Sequence, residues 1–350
     1  MKGMILAAGF GTRFRPATWT IPKPMIPLCN RPLIAWAVDA LREAAVTEIV
    51  VNLHHLPERI ETFLPASWPD LTFHFSMEDR ILGTGGGIRR VRHLLEGDDE
   101  FLLVNADTVQ FPPLADLARA RREKRALAAL LLRQAPASDR YTKVYFDGEA
   151  ITGFGEGTGD PLMFCGAHCI GREIFEHLPD REVSGITEDV YVPLTTKGGR
   201  LAGVVDDGPW FDIGTPLRYM AASGGLLELI GSGALPVPAG SRSGDEGSLI
   251  DLTAQVGRVD HSVIGPRCLV EPRARVESAV LWSDSIIARD SVIRSSIIGE
   301  RVVIPGGSKV ENALVCRRDG GISEQEASML LTGELAAVPI DPGRAMSVVL

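Results

Sequence analysis

Met4-Ile5-Leu6-Ala7-Ala8-Gly9-Phe10-Gly11-Thr12-Arg13-Phe14-Arg15-Pro16, with Pro22-Lys23-Pro24 just downstream, is the stretch from which the fold can be read. The apolar run 4–8 reads as a buried first strand. Glycines directly after a strand let the backbone approach a polyphosphate closely, and their N–H groups donate with no side chain in the way. Arg13 and Lys23 add the positive charge that a leaving pyrophosphate requires. A Rossmann fingerprint would place a third glycine at the helix start, but position 14 is Phe and Pro16 follows. A Walker loop would need Gly-Lys-Ser/Thr, which is absent here. A plain strand-to-helix turn accounts for Gly9 and Gly11 but not for Arg13 together with Lys23.

Outward from this segment, short apolar runs at 4–8, 48–52, 101–105 and 127–132 alternate with helix patterns up to about residue 230. Leu33, Ile34, Ala37, Val38 and Leu41 recur at helical spacing, and 88–95 reads as a second helix. This alternation predicts an α/β fold with a doubly wound, mostly parallel sheet. Residues 231–250 carry the Gly, Pro and Ser content of a linker, so the expected division is a first domain at 1–230 and a second from 251.

Beyond the linker the chain repeats with a period of 17 residues. Ile264, Leu281, Ile298 and Val315 form one series; Val270, Ile287 and Ile304 a second; Val276, Ile293 and Val310 a third. Interleaved steps of 6, 6 and 5 residues describe a coil with three flat faces, each turning one aliphatic side chain inward. Small residues such as Cys268, Ala274, Ser285, Ser291 and Ser308 fit its corners. The pattern resembles the left-handed parallel β-helix of hexapeptide repeats, expected over 251–316. The tail 317–350 is expected to cap one end or to mediate self-association.

The bulk numbers narrow the partners. The 350 residues are 45% apolar and 23% charged, an ordinary globular balance, and the net charge of −9 argues against a general nucleic-acid binder. The first apolar run is too short for a signal sequence, and no stretch approaches the roughly 20 apolar residues that span a bilayer. Five cysteines without metal-type spacing beyond the pair Cys165 and Cys169 predict reduced thiols in a cytoplasmic protein, that pair serving core packing.

The full set Gly9-x-Gly11-Thr12-Arg13-x-x-Pro16 with Pro22-Lys23-Pro24 resembles the signature of the sugar-1-phosphate nucleotidyltransferases, also called nucleoside-diphosphate-sugar pyrophosphorylases. The resemblance implies a Rossmann-like nucleotidyltransferase domain. It implies that a nucleoside triphosphate lies along Leu6, Ala8, Gly9, Gly11, Thr12, Arg13 and Lys23. Leu82-Gly83-Thr84-Gly85-Gly86-Gly87 is similar to the family's second glycine segment, which puts Gly83 and Thr84 along base and ribose, although a helix N-terminal turn explains the same residues. Asn52, at a strand end, is similar in position to groups that border the base, and an edge-capping role is an equal reading.

Asp107 follows a buried strand, where ligands of doubly wound sheets gather. Asp212, in Trp210-Phe211-Asp212-Ile213-Gly214-Thr215, resembles the family's second metal-ligand motif. One or two carboxylates completed by phosphate oxygens are how Mg²⁺ is usually held, so the pair is expected to bind Mg²⁺. By the same resemblance Asn105, Gly166 in Phe164-Cys165-Gly166, and Glu188 in Gly185-Ile186-Thr187-Glu188-Asp189 border the sugar, though Glu188 also reads as a helix cap. Relatives carry a Glu-Lys-Pro segment whose lysine meets the sugar phosphate; residues 152–157 here hold no lysine, and Lys143 is the candidate replacement.

The implied reaction is in-line attack of a sugar 1-phosphate oxygen on the α-phosphorus, with Arg13, Lys23, Asp107 and Asp212 as catalytic groups. The Gly83 to Gly87 run is similar to that of guanylyl- and uridylyltransferases, and mannose-1-phosphate guanylyltransferase-like members commonly carry a β-helix tail. A homo-oligomer is expected. The rival reading is a non-catalytic regulatory homologue that binds nucleotide sugars; such proteins usually lose the groups retained here. A β-helix acyltransferase would need more coils and a catalytic His, and His261 stands alone.

Overall fold

The computed structural model describes residues 1–134, 141–318, 330–332 and 334–350. They form two compact units: Met1–Phe10 with Leu33–Phe211, and Gly11–Pro32 with Asp212–Leu350.

The first unit runs β1 (Lys2–Leu6), α1 (Leu33–Glu43), β2 (Glu48–Leu53), α2 (Glu58–Ser67), β3 (Thr72–Met77), α3 (Gly83–Arg90), β4 (Glu100–Asn105) and α4 (Leu114–Glu123). It continues with β5 (Ala128–Gln134), β6 (Lys143–Phe146), β7 (Ile151–Phe154), β8 (Leu162–Gly171) and β9 (Leu201–Val205). The sheet order is β7-β6-β8-β4-β1-β2-β3, with β5 pairing both β8 and β9. β4, β1, β2 and β3 are parallel, as the alternating pattern predicts, whereas β8 runs antiparallel to β4, β5 and β6. The apolar positions of α1 that recur at helical spacing are all buried, and the helix stops where Ala45 turns left-handed at φ 59°. The helix expected at 88–95 begins earlier, at Gly83, and breaks at Val91.

In the second unit every series of the 17-residue repeat stacks in parallel register. Ile264 pairs with Leu281, Leu281 with Ile298 and Ile298 with Val315; the Val270 and Val276 series do the same on the other two faces. These side chains are buried in one column, each worth about 1.5–3 kcal/mol of apolar burial. At the corners the small residue packs inward, and the residue before it takes the left-handed turn: Arg267, Arg273, Asp284 and Asp290 all have φ between 56° and 68°. Their side chains pair rung to rung, Arg267 with Asp284 at 2.6 and 2.7 Å and Arg273 with Asp290 at 2.7 Å.

The tail caps two faces. Leu335–Pro339 pairs antiparallel with Ala313–Arg317, and Ser347–Val349 with Lys309–Glu311. The third face keeps an outward row, spaced by 17, of Leu269, Ile286 and Val303, with Val303 52% exposed. The corresponding outward row on the Lys309 face is Arg258, Arg275, Val292 and Lys309, mostly charged.

The contact division falls elsewhere than the compositional linker. Helix α5 (Pro216–Gly231), opened by Pro216 and by Thr215 accepting from Arg218 N at 3.3 Å, belongs with the β-helix. Trp282 Nε1 donates to the Tyr219 hydroxyl at 3.0 Å, and Asn30 Nδ2 donates to Ile264 O at 3.0 Å, so 11–32 packs there too. Both Tyr219 and Trp282 are fully buried, and each supplies the polar partner the other needs there. Composition carries no trace of such pairing.

Candidate active site

In the first unit the carboxyl ends of the parallel strands bring expected residues into one row. Leu6 is in register with Asn52 on one side and Asn105 on the other. Ala106 N donates to Leu6 O at 3.1 Å, which fixes the turn that carries Asp107 beside β1. No described atom lies within 4 Å of a Cβ built on Gly9, so the backbone after β1 faces open space on that side.

Asn52 is spent within the protein. Its Oδ1 accepts from Ala7 N at 2.8 Å, and its Nδ2 donates to Glu78 Oε1 at 2.7 Å. The other oxygen of Glu78 accepts from Leu82 N at 2.9 Å. Glu78 is 2% exposed, and sequence reading overlooked it. In the sequence it is an acidic residue four positions before Leu82, just past the alternating strand Thr72–Met77.

The glycine run is shaped by close packing. A Cβ on Gly83, itself at φ 73°, would meet Ser184 O at 2.5 Å, and one on Gly86 would meet Glu182 O at 2.2 Å. Gly85 N and Gly86 N both donate to Ser184 O, at 2.9 and 3.2 Å, and Thr84 Oγ1 accepts from Ile186 N at 2.8 Å. The run is thus both a helix start and a seat for 182–186. In that segment Asp189, not Glu188, does the local capping: its carboxylate accepts from Gly185 N at 2.8 Å. The helix there is one π turn, Thr187–Tyr191, followed by Val192–Thr196. Glu188 has no hydrogen bond or ion pair among the described residues and lies against Gly185.

Asn105 and Gly166 come together at the β4 and β8 edge. Gly166 sits at φ 83° where the β8 pairing is interrupted, and a Cβ there would lie 2.5 Å from Asn105 Nδ2. Lys143, exposed, pairs with Met163 three residues further out along β8. A second cation shares this edge: Arg133, at the end of β5, lies 5.5 Å over the Trp210 ring and donates to Gly208 O at 3.2 Å. Beneath the edge His168 is buried, its Nδ1 2.7 Å from the Tyr191 hydroxyl, and desolvation pushes the imidazole down to about 3.

In the second unit the signature residues form their own cluster. Gly11, left-handed at φ 62°, opens the turn Thr12–Phe14; a Cβ there would meet Thr18 Cγ2 at 2.9 Å and Lys23 Cβ at 3.0 Å. Thr18 Oγ1 donates to Gly11 O at 2.9 Å, so glycine is required for Lys23 to pack under this turn, where it is only 7% exposed. Gly214 plays the same part for Arg13. A Cβ on it would lie 3.0 Å from Asp212 Oδ1 and 3.1 Å from Arg13 Nη1. The guanidinium of Arg13 and the carboxylate of Asp212 therefore converge on Gly214, with Arg218 paired to the other Asp212 oxygen.

The donor chemistry fits a hard cation. Asp107 and Asp212 each carry the carboxylate oxygens a hard cation takes, and no group of three or more His, Cys, Asp or Glu forms a closed metal cage among the described residues. Thiol ligands do not compete: all five cysteines are buried and free, and desolvation pushes Cys29, Cys165 and Cys169 up to about 12.

Residues 2–228 match the model of the nucleotidyl transferase family. The chain belongs to that family. Residues 247–315 of the transferase match a second model, the GlmU-like C-terminal hexapeptide. It is 28% identical over 344 residues to mannose-1-phosphate guanylyltransferase 1 of Arabidopsis thaliana, covering 93% of each chain. It is 27% identical over 342 residues to mannose-1-phosphate guanyltransferase of Schizosaccharomyces pombe, again 93% of each. Among solved structures, HddC from Yersinia pseudotuberculosis, complexed with GMP-PN, superposes on 64% of this chain and 99% of its own, with a TM-score of 0.54 at 21% identity. That likeness speaks to the fold alone. Among the described residues no helix is long and apolar enough to cross a membrane.

Proposed function

We propose that the transferase moves a guanylyl or uridylyl group from its triphosphate to a sugar 1-phosphate of the mannose 1-phosphate kind, releasing pyrophosphate. The observation that carries this reading is the convergence of the Arg13 guanidinium and the Asp212 carboxylate on Gly214, a residue where no side chain fits between them. A guanidinium and a carboxylate on one small volume suit a metal-bound phosphate. The names of the full-length relatives favour guanylyl transfer.

The sugar phosphate oxygen attacks the α-phosphorus, forming one P–O bond as the bond to the β-phosphate oxygen breaks, and the electron pair leaves on pyrophosphate. No side-chain nucleophile is needed. Arg13 and Lys23 hold and neutralise the departing pyrophosphate. Leu6, Ala8, Gly9, Gly11 and Thr12 supply the backbone and turn along the phosphates, and Gly83 and Thr84 border the base and ribose. Asp107 and Asp212 would hold Mg²⁺, which supplies charge neutralisation on the phosphate oxygens. Asn105, Gly166 and Glu188 border the sugar, with Lys143 as the cation for its phosphate.

A thermal-shift screen of the four nucleoside triphosphates with Mg²⁺ tests the nucleotide choice. GTP or UTP at about 100 times its Kd should add about 2.7 kcal/mol of stability. Stabilisation by ATP alone would overturn the choice. We also place the protein in the cytoplasm, in keeping with five free thiols, and as a homo-oligomer. The outward row of Leu269, Ile286 and Val303 supports self-association, since monomers seldom leave such a face bare. Ile286→Asp should dissociate it in light scattering; an unchanged mass in a folded variant would remove that face from the interface.

A further inference from the structure

Four groups at the nucleotide edge of the first unit make a single chain of hydrogen bonds whose direction is fixed at both ends. Ala7 N–H can only donate, so the Asn52 atom facing it at 2.8 Å is Oδ1. That orientation turns Nδ2 toward Glu78, where it donates at 2.7 Å to Oε1. Leu82 N–H can also only donate, and it occupies Oε2 at 2.9 Å. Asn52 is 4% and Glu78 2% exposed, so water does not compete for these bonds. Gly87 lies directly against the pair: a Cβ there would stand 3.2 Å from Asn52 Nδ2 and 3.3 Å from Glu78 Oε1. Glu78 O is in addition 2.7 Å from His54 Nδ1, which anchors the end of the strand.

We propose that Glu78 is a positioning residue for the nucleotide: through Asn52 it sets the distance between the backbone after β1 and the start of the glycine run at Leu82. The proposal rests on the nucleotidyltransferase reading, in which Ala8 and Gly9 meet the phosphates and Gly83 and Thr84 the base and ribose. It also gives Asn52 a role other than base contact, because both ends of its amide are already engaged.

The fixed direction makes the relay testable by exchange of chemistry between its two members. Glu78→Gln introduces an NH₂ that must face either Leu82 N–H or Asn52 Nδ2, donor against donor. Asn52→Asp sets two carboxylates against one another at the 2.7 Å contact. In the double variant Asn52→Asp, Glu78→Gln every bond can form again. Ala7 N–H donates to Asp Oδ1, the Gln amide NH₂ donates to Asp Oδ2, and Leu82 N–H donates to Gln Oε1.

Steady-state kinetics and amide hydrogen exchange of the segments around Ala7 and Leu82 are measured on the full-length wild type, both single variants and the double. Each single variant should raise KM for the nucleoside triphosphate about tenfold or more, with kcat and the sugar phosphate KM changed far less, and should speed exchange at both segments. The double variant should recover most of both. Single variants with wild-type nucleotide KM, or a double variant no better than either single, would overturn the relay. If the wild type turns over no nucleotide, the transferase reading fails, and the exchange rates still decide whether the two segments are coupled through Glu78.

Discussion

Asp107→Asn is expected to lower the rate of pyrophosphate release by about 10²–10³ at saturating Mg²⁺ and substrates, the range found when one preorganised electrostatic group is removed from a transition state. The substitution keeps the size of the side chain and removes its charge, so the oxygen that remains is a poor ligand for a hard cation. Asp107 sits on a turn held by the Ala106 to Leu6 backbone bond, and that bond does not involve the carboxylate. Folding stability is measured alongside activity. Activity loss accompanied by comparable unfolding would show that the carboxylate is structural. Activity near that of the wild type would remove Asp107 from the reaction altogether.

A second large effect concerns His168. The side chain is fully buried in the sheet of the first unit, and its protonation is held down to about 3, against an ordinary value near 6.5, by desolvation. The folded pKa lies below the unfolded one, so the unfolded chain takes up a proton that the folded chain refuses. The stability linked to this group is whole above pH 6.5 and is lost progressively between about pH 6.5 and 3, by about 1.4 kcal/mol per pH unit. His168→Gln replaces it with a group that can still bond the Tyr191 hydroxyl but does not titrate. Denaturant unfolding of both proteins from pH 7 to 4 should show a shallower slope for the variant. Parallel slopes would mean that the imidazole titrates alike in the folded and unfolded chains.

Much of the fold was legible because it rests on periodicity. The 17-residue series named the inward residues of the β-helix, since each coil repeats one geometry and an aliphatic side chain fits the column only at fixed steps. The parallel strands were legible for a similar reason: residues 48–52 and 101–105 are continuous apolar runs, as expected of strands covered on both faces. The direction of β8 was not. An antiparallel strand buried among parallel ones reads identically in composition, and only its pairing distinguishes it.

The candidate site divides along the same line. Gly11 could be read because a left-handed turn and a close approach by Lys23 both demand glycine. Gly214 was legible only as part of a motif, and its reason, the nearness of Arg13, lies about 200 residues away in sequence. Glu78 and the capping role of Asp189 were hidden for another reason. Each acts through hydrogen bonds to backbone amides, which leave no residue-type signature on the partner. Arg133 escaped because its contact with Trp210 joins two strands distant in sequence.

The most direct measurement of the central claim is ³¹P NMR of the purified protein with Mg²⁺, GTP or UTP, and mannose 1-phosphate. The account predicts that the sugar phosphate signal is lost as pyrophosphate and a diphosphate sugar appear in equal amounts, with no free nucleoside diphosphate. Release of phosphate from the triphosphate without a new diphosphate ester, or no reaction with any pairing of triphosphate and hexose 1-phosphate by a folded protein that binds both, would contradict it.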